Sequence, residues 1–210
     1  MRRVILAFVV AVAGLMASAT EAAAQFDLSR ALNALVEAQT AASTQKSAYD
    51  LLAESAPQSS KLTGVWLYQS VSLENLGANP IAELALPQIE GYLAAALRNE
   101  RVSAGAYGLT VRRNGVVFLS YGDEIIEGKY RYNAEDATVR ITATHGKITL
   151  DARGYVAIKD GKLIVYLDAN ELYAALLQVY PEYRNDPTAM SIESTLRGFT
   201  GVYIALKHSR

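Results

Sequence analysis

The stretch from Ser103 to Leu167 alternates apolar and polar residues with a period of two and is divided by tight-turn sequences. Asn114-Gly115 and Asp160-Gly161 are the pairs that two-residue hairpins need, because these residues tolerate positive φ. A chain of this kind can form an antiparallel meander with one buried and one solvated face. The predicted strands are 106–112, 116–121, 125–132, 138–145, 147–158 and 163–167.

Two further strands flank this meander. Lys61 to Asn75 holds the only tryptophan, Trp66, and both of its faces are largely apolar, which predicts cover by a barrel interior on one side and a helix on the other. At 199–208, apolar side chains again alternate with polar ones. Pairing of this last strand with the first would close an eight-stranded antiparallel barrel and remove its exposed edges. The expected fold class is mainly β with added helices.

Helices are predicted in three places. The arm at 25–60 is rich in alanine and has apolar residues at helical spacing in two groups, so two short helices are expected before a break at 56–60. Asn79-Pro80 starts a helix after the first strand. Asp168 to Glu171 has the spacing of a capping box, and Asp186-Pro187 starts a further helix before the last strand.

Residues 1–24 have the organisation of a signal peptide. Arg2 and Arg3 precede thirteen residues without a polar side chain, and Ala22 to Ala24 supply small residues for cleavage after Ala24. A buried N-terminal helix is the alternative. The expected division is therefore a signal peptide at 1–24, a helical arm at 25–60 and a barrel domain at 61–208, in a secreted or periplasmic protein.

The sequence contains few candidates for catalytic or metal-binding residues. The sequence has no cysteine, and His145 and His208 stand far apart without a second ligand at metal spacing, so both are interpreted as strand-end residues. No nucleophile elbow, phosphate loop or dinucleotide fingerprint is present. A net charge of −1 gives no reason to expect nucleic acid. We therefore expect no enzyme activity, no cofactor and no metal.

Tyrosine is in excess, with thirteen tyrosines against four phenylalanines. A tyrosine joins an apolar ring to a hydroxyl that needs a partner, which suits the wall of a binding cavity. The alternative is β-propensity combined with ordinary core packing. The residues predicted for a ligand-binding wall are Trp66, Tyr68, Tyr130, Tyr132 and Tyr166.

The order of motifs resembles a known family. Gly64-Val65-Trp66 opens the first strand, a helical insertion and the meander follow, and the sequences LDANEL at 167–172 and LRGFTGVYIALK at 196–207 close the pattern. This arrangement resembles an exported bacterial lipocalin-like domain-of-unknown-function family over about Lys61 to Lys207. The resemblance implies a calycin-type β-barrel closed at one end by Gly64 and Trp66. It also implies a basic residue of the last strand over the tryptophan, for which Lys207 is the nearest candidate.

Two functions remain open from the sequence. The first is an exported, non-enzymatic barrel that binds a small apolar or amphipathic ligand, such as a lipid. The second is a filled barrel that serves as a structural or protein-interaction module of the cell envelope, with the N-terminal arm as the surface for a protein partner. An eight-stranded barrel is compatible with both, because it either holds one small ligand or is filled by its own side chains.

Overall fold

A computed structural model describes residues 47–77, 86–87, 90, 102–145, 148–179, 181, 184 and 201–210. The predicted signal peptide at 1–24, the arm before residue 47 and the helix predicted from Asp186 lie outside the described residues, as does most of the helix predicted from Pro80.

Eight antiparallel strands form a closed barrel in which each strand pairs with its neighbour in sequence and the last pairs with the first. This confirms the predicted fold class. The strands are β1 Gly64–Asn75, β2 Tyr107–Val111, β3 Val116–Tyr121, β4 Glu124–Tyr132, β5 Thr138–His145, β6 Ile148–Lys159, β7 Lys162–Asp168 and β8 Val202–Ser209.

The helices whose bounds lie within the described residues are α1 Ala48–Glu54, α2 Ser59–Leu62 and α3 Ala169–Val179. A capping box between Ser47 and Asp50 starts α1. Helix α2 occupies part of the segment predicted as a break, so that prediction is wrong there. In the described part of the chain, no helix combines the length and the apolar character that crossing a membrane requires.

The start of α3 differs in one respect from the predicted capping box. Asp168 Oδ1 accepts hydrogen bonds from the backbone N–H groups of Asn170, at 2.8 Å, and Glu171, at 3.0 Å. The Glu171 carboxylate does not return to Asp168; it accepts a bond of 3.0 Å from the backbone N–H of Arg153 on β6. Glu171 therefore ties the helix to the barrel wall.

The alternation of side chains separates an inner from an outer apolar cluster. The inner cluster lines the barrel interior with side chains from every strand, among them Trp66, Leu109, Val117, Tyr130, Val139, Val156, Val165 and Ile204. The outer cluster lies between α1 and the strands β6 to β8 and includes Leu52, Ile164, Tyr166 and Ala205. Helix α1 thus covers the outer surface of the last three strands.

Strand β1 contains an irregularity that the sequence did not predict. Tyr68 pairs with His208, but Ser70 already pairs with Lys207, so one residue of β1 bulges. The bulge brings Val71 and Leu73 to the inner cluster together with Tyr68. The expectation that both faces of β1 are covered is wrong at its start, where Val65 is 57% exposed.

Strand β6 changes partners at Gly154. Residues up to Tyr155 pair with β5, and residues from Gly154 onward pair with β7. A Cβ atom at Gly154 would collide with the backbone carbonyl oxygen of Tyr166, so glycine is required by the close approach of the two strands.

Candidate functional site

One end of the barrel, which we call the closed end, is sealed by Trp66, helix α2 and Arg210. Trp66 is 2% exposed, and its indole Nε1 donates a hydrogen bond of 2.7 Å to the carbonyl oxygen of Leu62 in α2. The Arg210 guanidinium lies 4.5 Å from the centroid of the Trp66 ring. Arg210 Nη2 also donates to the carbonyl oxygens of Lys61, at 3.0 Å, and Thr63, at 3.2 Å.

Gly64 lies beside this arrangement with a φ of 139°, a region that favours glycine. The cation over Trp66 is therefore Arg210 and not Lys207, which corrects the prediction. Lys207 points to the outer face, where its Nζ lies 3.6 Å from a carboxylate oxygen of Glu74. The physical reason is parity: His208 and Leu206 face inward on β8, so Lys207 between them faces outward.

Three buried rings pack together inside the barrel; we call Tyr68, Tyr107 and His208 the inner ring cluster. The tyrosine rings are stacked with centroids 4.5 Å apart, and the imidazole stands edge-on to Tyr68 at 6.2 Å and to Tyr107 at 5.7 Å. Burial raises the pKa of Tyr68 to about 12 and that of Tyr107 well above its usual value. Both phenols therefore stay protonated.

His208 has no exposed surface, and burial lowers its pKa to about 4. The ring is thus neutral at neutral pH. Its Nδ1 lies 3.1 Å from the carbonyl oxygen of Leu206, an atom that can only accept, so we assign the proton to Nδ1. Nε2 then presents a bare lone pair, and it has no hydrogen-bond partner.

The other residues predicted for a ligand-binding wall are divided between the two faces. Tyr130 and Tyr132 pack against the inner cluster, and their hydroxyls donate to the carbonyl oxygens of Arg112, at 2.8 Å, and Pro57, at 2.6 Å. Tyr166 belongs to the outer cluster under α1, so its assignment to the interior is wrong. Both faces of β7 are apolar, and alternation alone cannot distinguish them.

A groove of about 530 Å³ lies on the outside of the barrel, where β4 to β6 meet the start of α3. Arg131, Arg140 and Arg153 line it, and we call them the arginine row; Arg131 pairs directly with Arg140, and Arg140 with Arg153. Tyr155 and Tyr203 line the same groove. Together with Tyr49 they form the outer ring cluster, with centroid separations from 5.4 to 6.2 Å.

A scan against protein-family models finds the family described as Lipocalin-like domain (DUF4923), matched over residues 34–210. The chain belongs to this lipocalin-like family. No curated protein and no solved structure matches it significantly. The resemblance predicted from the motifs is confirmed as far as the family and its barrel are concerned, and the match reaches into the arm as well.

The lipocalin-like barrel shows which residues the sequence reasoning missed. His208, interpreted as a strand-end residue, lies inside the barrel beside Tyr68. The signal that could have found it is its even-numbered position, which follows the inward-facing Val202, Ile204 and Leu206. Tyr107 was not selected either. The arginine row could not be found from sequence, because it depends on the register between β4, β5 and β6. Among the described residues, no group of three His, Asp or Glu side chains could hold a metal ion.

Proposed function

We propose that this lipocalin-like protein is an exported, non-enzymatic binding protein that takes a small amphipathic molecule inside its barrel. The observation that carries the proposal is His208 Nε2, a buried acceptor without a hydrogen-bond partner among largely apolar side chains. Buried polar atoms are nearly always satisfied, so an unsatisfied one calls for a ligand or a water. A lipocalin-like fold, which usually binds and does not catalyse, supports the same reading.

The protonation of His208 narrows the chemistry of the ligand. Because Nδ1 holds the proton, Nε2 accepts only, and the polar group that meets it must be a donor such as a hydroxyl. A carboxylate would place its lone pairs against that of Nε2. The apolar body of the ligand would lie against the aliphatic side chains of the inner cluster, such as Leu109 and Leu163. We therefore propose an apolar alcohol as the ligand class.

Export is proposed from the first 24 residues. Their positive start, apolar stretch and small residues at the cleavage position support a signal peptide.

The test is native mass spectrometry of the mature protein, purified gently from an exported preparation, with solvent extraction of any adduct. The same protein is then offered a long-chain alcohol and the fatty acid of equal length. We expect a stoichiometric complex with the alcohol and a weaker one with the acid. His208→Phe should weaken alcohol binding up to about tenfold, the value of one hydrogen bond. His145→Phe, which changes the other histidine, is the control.

An unliganded mass that does not change with either compound would contradict the proposal. A single bound water would then satisfy Nε2. That outcome would favour the alternative function, a filled barrel that acts as an interaction module of the envelope, and the search would move to protein partners of the N-terminal arm.

A further inference from the structure

The groove on the outside of the barrel has features that a ligand in the barrel interior does not use. The groove arises from the change of partners at Gly154. Before this residue, no strand of the described part of the chain pairs with the edge of β6 that faces away from β5, and Glu171 of α3 accepts the N–H of Arg153 there. Strand β5 and helix α3 therefore stand on opposite sides of β6, and the groove lies over β6 between them.

The arginine row concentrates positive charge on one face of the sheet, and Asp151 and Glu171 offset part of it. The three cations are directly opposite one another on three neighbouring strands, and neighbouring strands lie about 4.8 Å apart. Like charges in directly opposite positions of an antiparallel pair destabilise it. A bound anion among the guanidinium groups would reduce this repulsion and stabilise the sheet.

In the part of the chain that the structure describes, the middle arginine is the member of the row that forms an ion pair, and the same carboxylate, Asp151, also attracts Arg153 at longer range. Arg140 Nε donates a hydrogen bond of 2.7 Å to Asp151 Oδ1, and its Nη2 binds the second carboxylate oxygen. Within the described part of the chain, Arg131 and Arg153 on either side form no ion pair. Their side chains are long enough to reach a common anion between them, and guanidinium groups bind carboxylate and phosphate in a two-pronged geometry.

Two carboxylates on the opposite wall of the groove determine the orientation of a bound anion. Asp168 and Glu171 line it on the side of α3, where Asp168 caps the helix and Glu171 holds the N–H of Arg153. These carboxylates repel an anionic group and direct it to the arginines. Tyr155 and Tyr203 offer ring surfaces beside them, and burial raises the pKa of both phenols, so both are neutral hydrogen-bonding groups.

We propose that this groove is a second binding site, for a small anion that carries a carboxylate or phosphate on a flat apolar body. The charged group binds Arg131 and Arg153, and the flat body lies on Tyr155 and Tyr203. The site differs from the barrel interior in chemistry as well as in place, because the interior offers an acceptor at His208 Nε2 and the groove offers cationic donors.

The probes are 2-naphthoate and its neutral analogue 2-naphthylmethanol, with 2-naphthyl phosphate as a third compound. Binding to the full mature chain is measured by titration calorimetry, and the site is located by chemical-shift changes in NMR spectra. We expect both anions to bind at least about tenfold more tightly in the groove than the alcohol, as charge-assisted hydrogen bonds predict. Addition of salt should weaken the binding of the anions and leave that of the alcohol almost unchanged.

The decisive variant is the double substitution Arg131→Gln with Arg153→Gln, which should lower anion affinity at least about tenfold. Lys129→Gln is the matched control, because Lys129 is an exposed cation on the outer face of β4, two residues from Arg131, and does not line the groove. Both arginines are exposed, so the double variant should fold, and its melting curve checks this. Equal affinity of the groove, as located by NMR, for naphthoate and naphthylmethanol, or anion binding unchanged in the double variant, would overturn the proposal. His208→Phe should leave anion binding unchanged, so this result is independent of the site inside the barrel.

Discussion

The inner and outer ring clusters are built on the same sheet from similar side chains, yet their surroundings differ. His208 and Tyr203 both belong to β8, but their odd and even positions send one ring into the barrel and the other under α1. The inner ring cluster is buried and includes an acceptor without a partner. The outer ring cluster borders an open groove with charged walls. One strand can therefore contribute to two binding surfaces of opposite chemistry, because its alternate residues face opposite sides of the sheet.

Trp66→Ala should show the largest difference between the inner and outer faces. Loss of this buried indole removes its packing, its hydrogen bond to Leu62 and the ring under Arg210, and should lower the free energy of unfolding by roughly 3–5 kcal/mol. Val65→Ala is the control from the adjacent, outward position and should change it by less than about 0.5 kcal/mol. Urea denaturation measures both; equal effects would show that Trp66 does not seal the barrel.

His208 should make the stability of the barrel depend on pH. Its pKa is 6.5 in an unfolded chain and about 4 in the folded one, so between these values only the unfolded chain takes up the proton. The free energy of unfolding therefore falls as the pH falls from 6.5 to 4, by about 3 kcal/mol in total from this group. His208→Phe should lack this part of the pH dependence. Urea denaturation at several pH values checks it, and identical slopes in the two proteins would contradict the burial of a neutral imidazole.

Arg210 and Lys207 provide a smaller comparison between two cations near the end of the chain. Arg210→Gln loses the contact with Trp66 and weakens two hydrogen bonds to carbonyl oxygens, which should cost about 1–2 kcal/mol. Lys207→Gln removes a half-exposed ion pair with Glu74 and should cost at most about 1 kcal/mol. Thermal unfolding of both variants ranks them, and the reverse order would mean that Arg210 contributes less to the closed end than its contacts indicate.

The arginine row should give the smallest effect, and with the opposite sign. Arg131→Gln relieves the part of the repulsion from Arg140 that Asp151 does not offset, so the melting temperature of the unliganded protein should rise slightly. The gain should shrink at high salt, because the charges are exposed and screened. Lys129→Gln lies opposite Thr142 and is the control, with no gain expected. A loss of stability in Arg131→Gln would mean that the row is not a repulsive arrangement.

The sequence predicted the barrel well because its information is local. Alternation and turn residues determine each hairpin, and β3 and β5 begin and end where they were predicted. The failures come from features that lie between strands. The bulge after Tyr68 changes which residues of β1 face inward, and no residue type near it indicates a bulge. Tyr166 lies on a strand with two apolar faces, so pattern alone could not place it.

The candidate sites were less predictable than the fold for the same reason. Arg210 lies beyond the end of the predicted last strand, and only the pairing of β8 with β1 brings it over Trp66. His208 meets Tyr107 across β1, and the arginine row needs the register of three strands. Contacts between residues on different strands cannot be predicted from the sequence of any single strand.

The seam between β1 and β8 has a consequence for how the chain folds. The other seven pairings join consecutive strands, whereas this one joins Leu67 to Ser209 across nearly the whole domain. The loss of chain entropy makes such a contact slow, so closure of the seam should be the late, rate-limiting event of folding. Until then the sheet has two bare edges that can pair with a second chain. Aggregation or strand exchange would therefore start from this open sheet and not from the finished barrel.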